Sequence, residues 1–275
     1  MQLSDALEIV RLTDVGLHRE HNEDTLASDS TIGLVLLADG MGGYNAGEVA
    51  SEIAALSISA ELKEALANHS INNAAGDLSE IQAGPRLIIN AVKNANEAIF
   101  NASQMHPKCA GMGTTLVVGL FVGNQLFVGH IGDSRMYRLR HQRLTQITED
   151  HSLLQEQINA GLVTQEQAKF SVNKNLVTRA LGIDPEVELT LNTYTVELGD
   201  MYLVCSDGLT DLVDDEVIQF TLNNLSLDLT KAAQLLIERA NDNGGKDNIS
   251  VILIRVNKPF EYKHTWYDHF FSWLK

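Results

Sequence analysis

Four short acidic segments stand far apart in this 275-residue chain, and each places an aspartate at a glycine turn or at the end of an apolar run. They are Asp39-Gly40-Met41-Gly42-Gly43, Gly132-Asp133-Ser134-Arg135, Ser206-Asp207-Gly208 and Asp247-Asn248-Ile249-Ser250. Carboxylates about 4 Å apart repel by roughly 1 kcal/mol per pair in water and by about 4 kcal/mol at an intermediate dielectric. Three or four on one rim would not all stay ionised without a cation. An all-oxygen donor set with no Cys or His companion points to Mg²⁺ or Mn²⁺. Upstream, the charged run Arg19-Glu20-His21-Asn22-Glu23-Asp24 offers a planar guanidinium suited to a phosphoryl group. Glu23 and Asp24 are candidates for holding cation-bound waters or for orienting Arg19.

The elements that must position these residues are legible in outline. Leu34-Val35-Leu36-Leu37-Ala38 leads into Asp39, and Tyr202-Leu203-Val204-Cys205 leads into Asp207. Thr114 to Val122 and Gln125 to Ile131 read as a hairpin around Gly123-Asn124. Ser134 to Arg140 and Arg143 to Thr148 continue it as a meander. Ile9 to Thr13, Ile32 to Ala38, Val187 to Thr195, Asp200 to Cys205 and Asn248 to Val256 are the other expected strands. Amphipathic spacing predicts helices over 47–67, around Ile88, Val92, Ala95 and Ile99, and from Leu229 to Ala240. The polar stretch from Ile71 to Pro85 reads as a connector. Hairpin-linked strands with helices in separate runs predict an α+β fold: a sandwich of two antiparallel sheets flanked by helix pairs.

Lys and Arg total 20 against 36 Asp and Glu, a formal net charge of −16. That excess argues against nucleic acid as a partner and against an anionic membrane surface. Cys109 and Cys205 make no disulfide framework or zinc spacing. Neither a leader-like N-terminus nor a span of about 20 apolar residues is evident, and the expected location is cytoplasmic.

Taken together, Arg19…Asn22-Glu23-Asp24, Asp39-Gly40-Met41-Gly42-Gly43, Gly113-Thr114-Thr115, Gly132-Asp133-Ser134-Arg135, Ser206-Asp207-Gly208 and Asp247-Asn248 resemble, in order, the PP2C-like metal-dependent serine/threonine phosphatases in their compact bacterial form. The resemblance runs from about residue 8 to 256. It implies that Asp39 bridges two cations, Mn²⁺ or Mg²⁺, with the Gly40 carbonyl on one and Asp207 and Asp247 on the other. It further implies a third, looser ion between Asp133 and Asp207, Arg19 on the substrate phosphate, and Glu23 and Asp24 behind the ligands. Hydrolysis would then proceed by direct attack of a water shared by the two cations on phosphoserine or phosphothreonine. The implied partners are phosphorylated proteins, such as a kinase or a kinase substrate. Relatives of this fold that serve only as regulatory or scaffold modules lack a ligand aspartate, and Asp39, Asp207 and Asp247 are all present here. Met41 stands where the eukaryotic enzymes carry a histidine proposed as general acid, and it cannot donate a proton. His151, at the edge of the flap, is one candidate for that role.

The expected organisation is a phosphatase domain over 1–257, with a flap over 149–182, followed by an aromatic-rich segment over 258–275. That segment holds seven of the chain's sixteen Phe, Tyr and Trp residues. Packing on its own domain, docking to a partner and lying at a membrane interface are the three readings of it, with few basic residues to favour the last.

Overall fold

The computed structural model describes residues 3–43, 46–72, 78–168 and 176–260. Among these, eleven strands form two antiparallel sheets. In the first, the order is β1 (Leu7–Asp14), β11 (Ile249–Val256), β10 (Met201–Cys205), β7 (Arg135–Arg140) and β8 (Arg143–Gln146). In the second it is β2 (Asp24–Asp29), β3 (Leu34–Met41), β5 (Leu116–Val122), β6 (Gln125–Ile131) and β9 (Thr190–Thr195). The two-residue β4 (Gly113–Thr114) pairs with the end of β3.

The central strands read as continuous apolar runs because both of their faces are covered. β5 is buried along its whole length, as is β10. Helices α1 (Ala46–Asn72) and α2 (Leu78–Met105) cover the outer face of the second sheet, where Ile58, Leu62, Ile88, Val92 and Ile99 pack on Leu34, Leu36, Leu116 and Val118. Helices α6 (Asp215–Asn224) and α7 (Leu229–Asp242) cover the first, through Ile218, Leu222, Leu236 and Ile237 against Leu203, Val251 and Leu253. Between the sheets lie Val35, Leu37, Val117, Phe121, Val204, Ile252 and Ile254. Phe121 meets Tyr202 edge to face at 5.5 Å and Phe260 at 6.3 Å. A large-to-small substitution at these positions costs about 2–5 kcal/mol.

Several expectations are corrected. Residues 71–85 are not one connector: α1 runs to Asn72 and α2 begins at Leu78, with Pro85 inside it. Gly84 lies so close to the Phe127 ring that a Cβ there would sit 2.6 Å from a ring carbon, so packing on the sheet overrides two helix breakers. β9 starts at Thr190 rather than Val187. β2 and α6 were not anticipated. β2 is polar in composition and borrows its order from pairing with β3. The excursion after β8 contains the short helices α3 (Leu153–Asn159) and α4 (Gln165–Ala168), and is tied down by bridges between Ser152 and Val177 and between Thr114 and Leu181. Most of the aromatic segment, from 261 on, lies outside the described residues.

One buried ionic cluster is structural. Asp200, 1% exposed at the start of β10, accepts from Arg140 Nε at 2.7 Å and Nη2 at 2.6 Å, from the Glu197 amide at 2.9 Å and from the Tyr202 hydroxyl at 2.9 Å.

Candidate active site

The strand ends at one rim of the sandwich carry the acidic residues. β3 delivers Asp39, and the antiparallel register sets Asp24, the first residue of β2, directly opposite. Asp133 lies in the connection from β6 to β7. Asp207 opens the one-turn helix α5 (Asp207–Thr210) immediately after β10, and Asp247 precedes β11. Two close backbone approaches hold these ends together. A Cβ on Gly40 would lie 2.2 Å from the Gly47 carbonyl oxygen, so only glycine lets the end of β3 meet the start of α1. A Cβ on Gly208 would lie 2.0 Å from the Asn248 carbonyl oxygen, which joins the turn after Asp207 to the one after Asp247.

Neutral residues aim the carboxylates. The Asp39 amide donates to Thr115 Oγ1 at 3.2 Å, and its carbonyl accepts from the Thr115 amide at 2.8 Å and the Thr114 hydroxyl at 2.9 Å. Thr115 Oγ1 in turn meets Ser134 Oγ at 2.8 Å, beside Asp133. Asn248 ties the loop before β2 to the start of β11. Its Oδ1 accepts from the Glu23 amide at 2.8 Å, its Nδ2 donates to the Val15 and His21 carbonyls at 3.0 Å, and its own amide donates to Asp247 Oδ1 at 2.8 Å. Arg135 is taken up at the foot of the flap, gripping Asp150 through Nε at 2.9 Å and Nη2 at 2.6 Å.

The electrostatics are those of crowded anions in a poorly solvated rim. Burial, then the neighbouring Asp24, Asp207, Asp133 and Asp247, push the Asp39 carboxyl well above the usual range. Burial, then Asp133, Asp247 and Asp211, do the same to Asp207. Burial raises Asp24 to about 6 and, with Asp150 next in weight, Asp133 to about 6. Burial also raises Glu23. Both oxygens of Asp24 are buried and find no hydrogen-bond partner. The Ser250 and Ser206 hydroxyls and the Asp39 carboxyl lie near enough to offset part of the effect of burial on Asp24, although none meets it in hydrogen-bond geometry. Arg19 donates from Nη2 to Asp247 Oδ2 at 2.7 Å, which raises the guanidinium pKa. Its side chain is 50% exposed, so the pair is worth about 1 kcal/mol or less and is readily exchanged.

Asp24, Asp39, Asp133, Asp207 and Asp247 thus lie together at one rim, with Arg19 and Glu23 beside it. Asp211, one turn after Asp207, adds a further negative charge that sequence reasoning passed over. In the sequence Asn248 and Thr115 stand only as neighbours of Asp247 and Thr114, with nothing local to show their bonds. Among the described residues no three Asp, Glu, His or Cys side chains are already drawn into a metal cage. The donor set still fits a hard divalent cation, because it is all oxygen, partly to fully buried, mutually repelling, and contains at Asp24 a buried carboxylate with no partner in hydrogen-bond geometry.

His151 does not suit the role of general acid. Its Nδ1 accepts from the Gly132 amide at 3.2 Å and its Nε2 lies 3.0 Å from Thr190 Oγ1. Burial, then His130 and Arg179, push it down to about 4, so the ring is neutral near pH 7.

The protein phosphatase 2C model matches residues 10–249. The chain is 42% identical over 255 residues to the serine/threonine protein phosphatase PstP of Mycobacterium tuberculosis, covering 92% of this chain and 45% of that protein. It thus spans under half the length of that relative. It is 37% identical over 245 residues to the serine/threonine phosphatase stp of Listeria monocytogenes, covering 88% of this chain and 93% of that protein. A crystal structure of the PstP catalytic domain in complex with two manganese ions superposes with a TM-score of 0.78 at 39% identity, over 92% of this chain and 99% of that one. Similar in sequence over nine-tenths of its length, and built on the same two-sheet frame, this chain belongs to the protein phosphatase 2C family.

Proposed function

We propose that the protein is a metal-dependent phosphatase that hydrolyses phosphoserine and phosphothreonine in proteins. The observation that carries this reading is the carboxylate rim itself: five aspartates from five separate chain segments, one of them with no hydrogen-bond partner, next to an exchangeable arginine. In this reading Asp39, Asp207, Asp247 and the Gly40 carbonyl hold two divalent cations, Mn²⁺ or Mg²⁺, and Asp133 with Asp207 holds a third more loosely. When bound, such cations neutralise phosphoryl charge and lower the pKa of the attacking water. Arg19 leaves Asp247 to take the phosphoryl oxygens and set the phosphorus in line for attack. Asp24 and Glu23 stand behind the ligands, and Thr115 and Asn248 fix their directions. No side chain serves as nucleophile. Met41 offers no proton, and His151 is held neutral, so the leaving oxygen takes its proton from solvent.

The substrates we envisage are phosphoproteins of a kinase system, in the cytoplasm. No helix among the described residues is long and apolar enough to cross a membrane. The segment over 258–275 is proposed to lie outside the catalytic unit, with docking to a partner one of its possible uses. Phe260 at its start packs on Phe121 in the core between the sheets, at the end of β5 away from Thr115, so this anchor lies away from the rim. The deciding experiment is hydrolysis of p-nitrophenyl phosphate and phosphothreonine peptides with Mn²⁺ or Mg²⁺. Activity should vanish on exhaustive chelation and return with the cation. Turnover that survives chelation would end this reading.

A further inference from the structure

A second polar cavity, of about 560 Å³, opens beside the rim where the edges of the two sheets meet. β7 and β8 line it on one side, β6 and β9 on the other, and the two ends of the flap, around His151 and Arg179, border it. Its chemistry is unlike that of the rim. The β7–β8 hairpin carries Arg135, Arg138, Arg140 and Arg143 within nine residues, in a chain of net charge −16. Arg135 is spent on Asp150 and Arg140 on Asp200 and Glu197. Arg138 faces the cavity, its Nε is buried without a partner, and its side chain makes no ion pair among the described residues.

Across the cavity Arg179 touches Glu188 at 3.3 Å, and that glutamate is 79% exposed, so the contact is cheaply displaced. His130, fully buried, lines the same space with Nδ1 unpartnered while Nε2 meets the Glu149 carbonyl at 2.8 Å. Because His151 Nδ1 accepts from Gly132, its Nε2 carries the hydrogen and donates to Thr190 Oγ1. The Thr190 hydroxyl hydrogen is then available to a ligand in the cavity. The acidic lining residue, Glu149, has its Oε1 drawn off to Asn159 Nδ2 at 2.6 Å.

Two guanidinium groups lining one cavity, Arg138 on β7 and Arg179 at the flap end, together with the Thr190 hydroxyl on β9, match a tetrahedral dianion rather than a cation or an apolar group. We propose that this cavity is a second oxyanion site, separate from the carboxylate rim, which takes a phosphoryl group. The group is either free inorganic phosphate or a second phosphorylated residue of a protein substrate.

The test is calorimetric titration of the full chain, in Mg²⁺, with inorganic phosphate. The expected isotherm has two binding events. Asp207→Asn, which disables the rim, should leave the event in the cavity. Arg138→Gln should weaken that event by about tenfold or more, the loss of one charge-assisted hydrogen bond. It should leave p-nitrophenyl phosphate turnover within about twofold, since Arg138 takes no part in the rim. Thr145→Glu, at an exposed position on the lip, sets a carboxylate near Arg138 and should act the same way, so the test survives if Arg138→Gln misfolds. Peptides with one or two phosphoserines separate the two sources. A KM advantage for the doubly phosphorylated peptide that Arg138→Gln removes assigns the site to substrate, and its absence alongside cavity binding assigns it to free phosphate. Isotherms identical in wild type, Arg138→Gln and Thr145→Glu would overturn the proposal, whatever the turnover assays show about the rim.

Discussion

The two ends of β10 treat an aspartate in opposite ways. At its start Asp200 is almost fully buried and receives four hydrogen bonds, two of them from one arginine. At its far end Asp207 is crowded by Asp133, Asp247 and Asp211, and across the rim Asp24 receives none. Five residues of strand separate a carboxylate satisfied by the fold from one that the fold leaves unsatisfied. The difference teaches that burial alone says little about role. A buried acid with its cation already supplied by the chain is a structural joint, whereas crowded acids that mostly face one another call for charge from outside.

Mutations can break this comparison from either side. The largest effect is expected from Asp207→Ala or Asp39→Ala, which should reduce kcat by about a thousandfold or more, on the order of 4 kcal/mol of barrier, while circular dichroism and Tm show a folded protein. Near-normal kcat in Asp207→Ala would remove that residue from the site. Asp200→Ala should do the reverse. Unpairing Arg140 should lower stability by about 3 kcal/mol in urea titrations, with activity per folded molecule kept. A loss of kcat without loss of stability would make the two ends of β10 alike.

Asp24→Asn sharpens the contrast. Removing an unpartnered buried charge should stabilise the chelated protein by about 1–2 kcal/mol at pH 7, read as a rise in Tm, and the gain should shrink when Mn²⁺ is added. The smallest effect concerns His151. Its pKa in the fold, about 4, lies below the unfolded value, so the unfolded chain takes up its proton first as pH falls. Stability from this residue is therefore complete above about pH 6.5 and is lost progressively between about pH 6.5 and 4. His151→Gln should flatten that part of the pH–stability curve by about 1 kcal/mol, and an unchanged slope would show that the ring is not held neutral.

Much of this was readable from residue types. The apolar runs before Asp39 and Asp207 and after Asp247 are central strands, and Gly40 and Gly208 read as turn residues beside the aspartates. The aspartates were legible because strands end where polarity begins. What stayed hidden depends on partners distant in sequence. β2, with its polar Asp24-Thr25 and Ser28-Asp29, is a strand only because β3 offers it a ladder. Asn248 serves the loop before β2 through bonds spanning more than 220 residues, which no local periodicity encodes. α6 carried a readable signal, Asp214 ahead of Asp215-Glu216 with Ile218 and Leu222 four apart, that was passed over. The neutrality of His151 comes from burial beside His130 and Arg179, surroundings that only the folded chain assembles.

The pairing of β1 with β11, Leu7 opposite Val256, has a consequence for how the molecule is made. At about 5–20 residues per second, β1 leaves the ribosome roughly ten to fifty seconds before the strand that will lie beside it. The second sheet, with α1 and α2, can gather much of its core in that interval, whereas β1 must wait as a bare edge. Glu8, Arg11 and Asp14 place charge along it. Such charges guard a lone strand against pairing with the wrong neighbour, so the nascent chain reaches its last strand with the first still available.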